Sequence, residues 1–308
     1  MRVVRYQDQD ALTGVGMLRG ERVVDFTRAL TVYYFAQGSL PHFPYSLELL
    51  QPADFSVLDL IAGGYFRAEL FAEVLRFAEE HELIEELVVD EPRLLSPIPR
   101  PPRIIALGLN YAAHAAEGGR KPPKEPIFFV KASTAVIGPD DPVECPRGVG
   151  RIDHEVELAV IIGKPGRRIS RAQAKQHIAG YTILNDVTAR DMQRRDMAAS
   201  NPWFLSKSFD TFCPMGPCIT LPDEIQEPCE LDLSLRVNGQ TRQSSNTRDL
   251  IFKVPELIHR LSRHLTLEPG DIISTGTPAG ISAIQPGDVM QAEVERIGVL
   301  RNPVVAGK

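Results

Sequence analysis

The segment Asp153-His154-Glu155-Val156-Glu157-Leu158-Ala159-Val160-Ile161-Ile162 sets two acids two residues apart at the head of a run of β-formers. Strand side chains alternate between faces, so Glu155 and Glu157 share one face with Ala159, while Val156, Leu158, Val160 and Ile162 cover the other. Carboxylates about 6 to 7 Å apart along a strand can both reach one cation. Enclosed with no positive charge between them, they would repel and one would take up a proton. Hard oxygen donors without sulfur favour Mg²⁺, Mn²⁺ or Ca²⁺ over zinc. Taken alone, the pair reads better as two surface glutamates on a solvent-facing strand. A third acid shifts that balance: Asp186 closes the apolar run AGYTILN where the chain turns into a helix. It could equally be a plain helix cap, since Thr188 and Asp191 have the spacing of a capping box. His154 points away from the acidic face and reads as structural.

Arg190 and Gln193 follow Asp186 by four and seven residues, which would put a carboxylate-binding arginine and a donor amide on the same side of that helix. Its other face reads as a charged surface. Lys207 lies alone among apolar and aromatic residues in WFLSKSFDTF. A charge there needs a function or a partner, and Asp210 is the ordinary candidate. His114 and Glu117 fall three apart in the Ala-rich NYAAHAAE, close enough for the acid to orient the imidazole as a general base acting on water. The charged, glycine-containing EGGRKPPK that follows suits a mobile lid or an exposed linker. STGTPAG, residues 274–280, matches neither the dinucleotide fingerprint nor the P-loop. It could offer amides and Thr277 to an anion, or be only a tight turn.

The elements that must position these groups divide at SPIPRPPR, which is too stiff to continue a helix or a central strand. Residues 1–95 are expected to form a small α+β domain with strands at 2–6, 14–18 and 22–26 and helices at 46–62 and 67–79. Residues 96–102 form a Pro-rich linker, and 103–308 a mostly β domain. In that domain strands are predicted at 103–109, 127–131, 155–162, 181–184, 231–237, 271–275 and 289–294. One helix is predicted from Ser170 to Gly180, and another from Pro255 to about His264. The turns LEPGDII and IQPGDVM each launch a strand, as in antiparallel barrels or rolls.

Across 308 residues, 43% hydrophobic and 24% charged with net charge -6, the composition is that of an ordinary globular protein and argues against a nucleic-acid binder. No run is long and apolar enough to span a bilayer, and MRVVRYQDQD lacks a secretory h-region, so a cytoplasmic location is expected. Cys145, Cys213, Cys218 and Cys229 form no C-x-x-C pair and read as reduced thiols, the middle two as small buried residues.

In order along residues 103–294, the segments GLNYAAHAAE, EPIFFVKASTAVIGPDD, DHEVELAVIIG, GYTILNDVTARDMQ, WFLSKSFDTFCPMGP, VNGQ and PGDIISTGTPAG resemble the fumarylacetoacetate hydrolase family. The resemblance implies a mixed α/β, mostly β, roll or barrel-like catalytic domain, generally dimeric. It assigns the metal ligands to Glu155, Glu157 and Asp186, and the acid–base pair to His114 and Glu117 on a lid that orders over substrate. Substrate contacts fall on Arg190, Gln193, Lys207 and Thr277. The larger, eponymous hydrolases carry a further metal-ligating aspartate upstream of the histidine. Asn110 occupies the nearest polar position here, so the chain resembles the shorter acylpyruvate hydrolase and oxaloacetate decarboxylase branch. The expected reaction is Mg²⁺- or Mn²⁺-dependent cleavage of a carbon–carbon bond in a 2,4-dioxo acid through an enolate steadied by the metal and Lys207. Decarboxylation or isomerisation of a 2-oxo acid would use the same enolate. A non-catalytic metal-binding protein is the reading from another class.

Overall fold

A computed structural model describes residues 1–38, 56–226 and 229–307. The chain opens with β1 (Arg2–Gln7), β2 (Thr13–Arg19), β3 (Arg22–Asp25), α1 (Phe26–Ala36), α2 (Val57–Ala62), α3 (Ala68–Glu80) and α4 (Ile84–Leu87). Then come β4 (Val88–Val89), β5 (Arg93–Leu95), β6 (Ile104–Gly108), α5 (Ala112–Glu117), β7 (Ile127–Lys131), β8 (Val136–Ile137), β9 (Val143–Cys145) and β10 (Ile152–Asp153). The middle of the chain holds β11 (Val156–Ile162), β12 (Ile178–Asn185), β13 (Thr188–Ala189), α6 (Arg190–Ala198), α7 (Phe204–Lys207) and β14 (Cys213–Thr220). It closes with β15 (Asp232–Val237), β16 (Gln240–Asn246), α8 (Val254–His264), β17 (Ile272–Ser274), β18 (Val289–Val294) and β19 (Gly298–Ala306).

A twelve-stranded mixed sheet runs β4-β3-β2-β1-β14-β12-β11-β17-β6-β7, with β5 on β1 and β8 on β14. A second sheet runs β16-β15-β18-β19-β9, and β10 pairs β13. Among the described residues both long paths are open-ended, so the protein is mixed α/β and mostly β, with no closed barrel in the described part. All seven residues of β11 are buried because both faces of the large sheet are covered. Val156, Leu158, Val160 and Ile162 pack with Leu233, Leu235, Met290 and Ala292 of the second sheet. Ala159 and Ile161 pack on the other side with Phe26, Leu30 and Phe71 of the N-terminal helices. The alternation read from the sequence is therefore that of a strand between two apolar layers.

The N-terminal strands form no sheet of their own. Arg2 and Val3 of β1 pair with Thr220 and Ile219 of β14, carrying the large sheet across the Pro-rich stretch. That stretch is itself packed: Ile98 is 1% exposed, and the Ser133 hydroxyl donates to the Pro101 carbonyl at 2.6 Å. Residues 46–55 of the first expected N-terminal helix lie outside the described residues, and its remainder is α2.

Two helix expectations are corrected. The segment after Ser170 is a short 3₁₀ helix, Arg171–His177, and Gly180 lies inside β12 rather than capping a helix. A Cβ at Gly180 would stand 2.3 Å from the Ile219 side chain, so the glycine serves close approach of β14. The helix expected from Thr188 begins at Arg190, because Thr188 and Ala189 pair with Asp153 and Ile152. The Thr188 hydroxyl donates to the Asp186 carbonyl, and Asp191 accepts from the Arg151 amide, so no capping box forms. Strands β14, β16 and β19 were not anticipated. PMGP in the first, the polar QTRQSSN in the second and a proline in the third conceal the strand pattern.

Candidate active site

The acids meet where β11 begins and β12 and β17 end. The Glu155 amide donates to Asn185 Oδ1 at 2.8 Å, and the Asp186 amide donates to the Glu155 carbonyl at 2.8 Å. These bonds lock the end of β12 to the head of β11, bringing Asp186 beside the two glutamates. Carboxylate oxygens of Glu155, Glu157 and Asp186 lie within 4.8 Å of one another, all on buried residues. Glu155 and Glu157 thus converge as the strand alternation required.

The cations around them were half foreseen. Lys207 Nζ bridges Glu155 Oε2, at 2.8 Å, and Asp186 Oδ2, so its partners are these acids and not Asp210. It also lies 5.0 Å from the Phe129 ring centroid. Arg190 donates from Nε to Asp153 Oδ2 at 2.7 Å, from Nη1 to Gln193 Oε1 and from Nη2 to Glu155 Oε1. Arg190 and Gln193 share one buried face of α6, although Asp186 lies outside that helix. Lys131, which sequence reasoning passed over, is fully buried with Nζ 2.7 Å from Asp186 Oδ1. Its signal was the one that exposed Lys207, a lone lysine closing an apolar strand. Asp153 was also missed; it is 0% exposed and holds both Arg190 and Arg151, whose Nε is 2.6 Å away.

Charge balance orders these groups. Asp153, Glu155 and Asp186 face Arg190, Lys207, Lys131 and the part-exposed Arg151, so each of the three is paired with at least one cation. Glu157 is a fourth acid, and its bonds come from the Ser274 hydroxyl at 2.6 Å and the Gly276 amide at 2.7 Å. Burial, then the neighbouring Asp186 charge, pushes the Glu157 carboxyl up to about 8. Burial also acts on Glu155, but Lys207 and Arg190 outweigh it and hold that carboxyl below the ordinary range. Burial would lower Lys207, yet Asp186 and Glu155 raise it, so it stays an ammonium. A divalent cation fits this donor set: three convergent hard oxygens, one on a carboxyl that no cation neutralises.

Asn110 is not part of that group. Its side chain donates to the Phe252 and Thr275 carbonyls and accepts from the Phe252 amide, tying the start of α5 to the loop after β17. On α5, His114 Nδ1 lies 3.4 Å from Glu117 Oε2, and both Glu117 oxygens accept from the Gly280 amide at 3.2 Å. Thr277 reaches the pocket wall with its hydroxyl engaged: it donates to the Val156 carbonyl and accepts from Gln243. Gln243 also accepts from the Val156 amide and bonds His154, which also meets Ser282 and is pushed down by burial. His154 therefore braces the acidic strand from behind.

A cavity of about 660 Å³ opens over this centre, a size usual for small-molecule sites. His114, Glu117, Glu155, Arg190, Gln193, Lys207 and Thr277 all line it, with Glu157 and Asp186 in the layer beneath. Its apolar wall includes Leu107, Phe129, Met197, Trp203 and Ile281. The Trp203 and Phe129 rings meet edge to face at 5.6 Å between centroids.

Such a buried acidic centre beneath a pocket carrying a His–Glu pair brings together the groups of a metal-assisted active site. Residues 103–305 match the family described as fumarylacetoacetate (FAA) hydrolase, C-terminal. An uncharacterised protein of Pyrococcus abyssi is 51% identical over 207 residues, covering 67% of this chain and 92% of that protein. The mitochondrial oxaloacetate tautomerase FAHD2A of Bos taurus is 44% identical over 222 residues, 70% of each chain. Among solved structures, maleylpyruvate hydrolase from Sphingobium sp. SYK-6, in complex with manganese(II) and pyruvate, superimposes with a TM-score of 0.76 at 34% identity, covering 100% of both chains. The 5-carboxymethyl-2-hydroxymuconate delta-isomerase from Mycobacterium smegmatis does so with 0.72 at 33%, also over 100% of both chains. The chain belongs to the fumarylacetoacetate hydrolase family.

Proposed function

We propose that the protein is a divalent-metal-dependent hydrolase that cleaves the C3–C4 bond of a 2,4-dioxo acid, releasing a carboxylic acid and pyruvate. The observation that carries this reading is one pocket in which the His114–Glu117 pair stands with Glu155, Arg190 and Lys207. Glu155, Glu157 and Asp186 would hold Mg²⁺ or Mn²⁺, which when bound supplies a Lewis acid for the 2-oxo acid end of the substrate. Three of the five Arg190 donors are engaged by Asp153, Gln193 and Glu155, leaving two for the substrate carboxylate.

With Nδ1 turned to Glu117, His114 keeps Nε2 for the proton of a water that attacks the C4 carbonyl. Glu117, fixed by the Gly280 amide, holds the ring in that orientation. The hydroxyl from water joins C4 to form the released acid. The electrons of the broken C3–C4 bond pass into the enolate of pyruvate, where the Lys207 ammonium lowers the energy of the developing charge. The proton held on His114 then returns to C3. Trp203 and Phe129 wall the reacting end with apolar surface.

The names of the relatives favour a second reading. Enol–keto interconversion or isomerisation of a 2-oxo acid needs the same enolate and the same His114 proton transfer, without the attacking water. A panel of acylpyruvates and oxaloacetate, followed with Mg²⁺ and with Mn²⁺, tests both. Cleavage of acylpyruvates supports the hydrolase, and proton exchange without cleavage supports the isomerase. Metal that raises the Tm with no 2-oxo acid turned over would leave the non-catalytic reading standing.

A further inference from the structure

Asp186 is held between two buried lysines. Its Oδ1 accepts from Lys131 Nζ at 2.7 Å, and its Oδ2 accepts from Lys207 Nζ, which also reaches Glu155 Oε2 at 2.8 Å. Because one ammonium touches both acids, Oδ2 is the oxygen on the Glu155 side, and Oδ1 is turned to the lysine of β7.

The two ammonium groups are bound differently. Each has three donors. Lys131 Nζ has an acceptor for every one: Asp186 Oδ1, the Val187 carbonyl at 3.4 Å and the Lys207 carbonyl. Its backbone pairs with Ile104 of β6, and its side chain is 0% exposed. Lys207 Nζ has two acceptors among the described residues, both carboxylates, with the Phe129 ring centroid 5.0 Å away. Lys207 also borders the cavity, so its ammonium has space to move into while Lys131 pins its carbonyl. The gap that Lys207 Nζ fills, between Glu155 and Asp186, is the one a cation shared by those two acids must take.

We propose that the two lysines play opposite parts in cation binding. Lys131 is a positioning residue that keeps Asp186 Oδ1 and so presents Oδ2 to the metal. Lys207 is the stand-in cation of the metal-free centre, and its ammonium gives way into the cavity on loading. This inference rests on the reading that Glu155, Glu157 and Asp186 hold a divalent metal. It deepens that reading, because the Lys207 ammonium then becomes available to substrate only in the loaded protein.

Coulomb's law alone treats the lysines alike, since deleting either positive charge beside the site should tighten the metal. The proposal gives them opposite signs, read from the Mn²⁺ dissociation constants of wild type, K131M and K207M by EPR titration of free Mn²⁺. In K207M the constant falls by roughly threefold or more, and in K131M it rises by roughly threefold or more. The EPR spectrum of bound Mn²⁺ in K131M also departs from that of wild type. A lysine needed only for stability would leave that spectrum unchanged in the fraction that binds. A smaller shift in either variant, a shift of the opposite sign, or a wild-type spectrum in K131M overturns the assignment. If K131M does not fold, K131Q, whose amide still donates to the carbonyls, carries the same expectations; failure of both to fold makes Lys131 a residue of the fold and overturns its positioning role. Both signs as predicted, with no 2-oxo acid turned over, would uphold the two lysines and overturn the catalytic proposal. A wild-type protein that binds no Mn²⁺ would overturn both.

Discussion

Glu157 receives its hydrogen bonds from a hydroxyl and an amide, whereas Glu155 and Asp186 receive theirs from lysines and an arginine. The consequence is a carboxyl that stays protonated near neutrality in the metal-free protein. Its folded pKa is raised above the ordinary 4.5, so its contribution to stability is full below that value and is lost as pH rises toward about 8. Metal-free protein should therefore lose thermal stability across that window, and the metal-loaded form should lose less. Loading at pH 7 should release close to one proton, measurable by calorimetry in buffers of different ionisation enthalpy; release of none would contradict the assignment. His114 acts later. His114→Ala should lower kcat on acylpyruvates by about 10² to 10⁴-fold while Mn²⁺ affinity by titration stays at the wild-type value. At this scale the strand alternation made Glu155 and Glu157 legible. Lys131 and Asp153 were not, because their significance is a contact with residues 55 and 37 positions away.

At the scale of elements, turns and close approaches place the site. Gly276, at φ +97°, aims its amide at Glu157, and a Cβ there would stand 2.8 Å from that of Asn110. The STGTPAG turn thus supports a ligand residue, which its sequence alone left open. Gly108 ends β6 against the Trp203 ring, where a Cβ would lie 2.8 Å from the indole. Gly108→Ala should push Trp203 toward the cavity, raise KM several-fold and cost about 1 to 3 kcal/mol of stability by overpacking. Unchanged KM together with an unchanged denaturant midpoint would show that the ring has another place to go. The 3₁₀ segment and the late start of α6 escaped sequence reading for one reason. Gly180 and Thr188 look like helix punctuation locally, and only pairing with β11 and β10 makes them strand residues.

At the scale of the whole molecule, the large sheet joins the two halves of the sequence. Phe26, Leu30 and Phe71 of the N-terminal helices cover the face that Val3, Val15, Ala159, Ile161, Met215 and Ile219 present. Periodicity showed that each half had apolar faces but not that they covered one another, so the boundary at the prolines suggested more independence than the sheet displays. A fragment starting at residue 96 should lose that cover, free the edge of β14 and fail to give soluble protein. A soluble fragment with the full-length Tm would contradict this account. The central claim is that the acidic centre promotes enolate formation from a 2-oxo acid with a bound metal. The most direct test follows deuterium entry at C3 of pyruvate in D₂O by proton NMR. The account predicts exchange that requires added Mg²⁺ or Mn²⁺ and is lost in E157Q and D186N; exchange at the full rate after exhaustive chelation would contradict it.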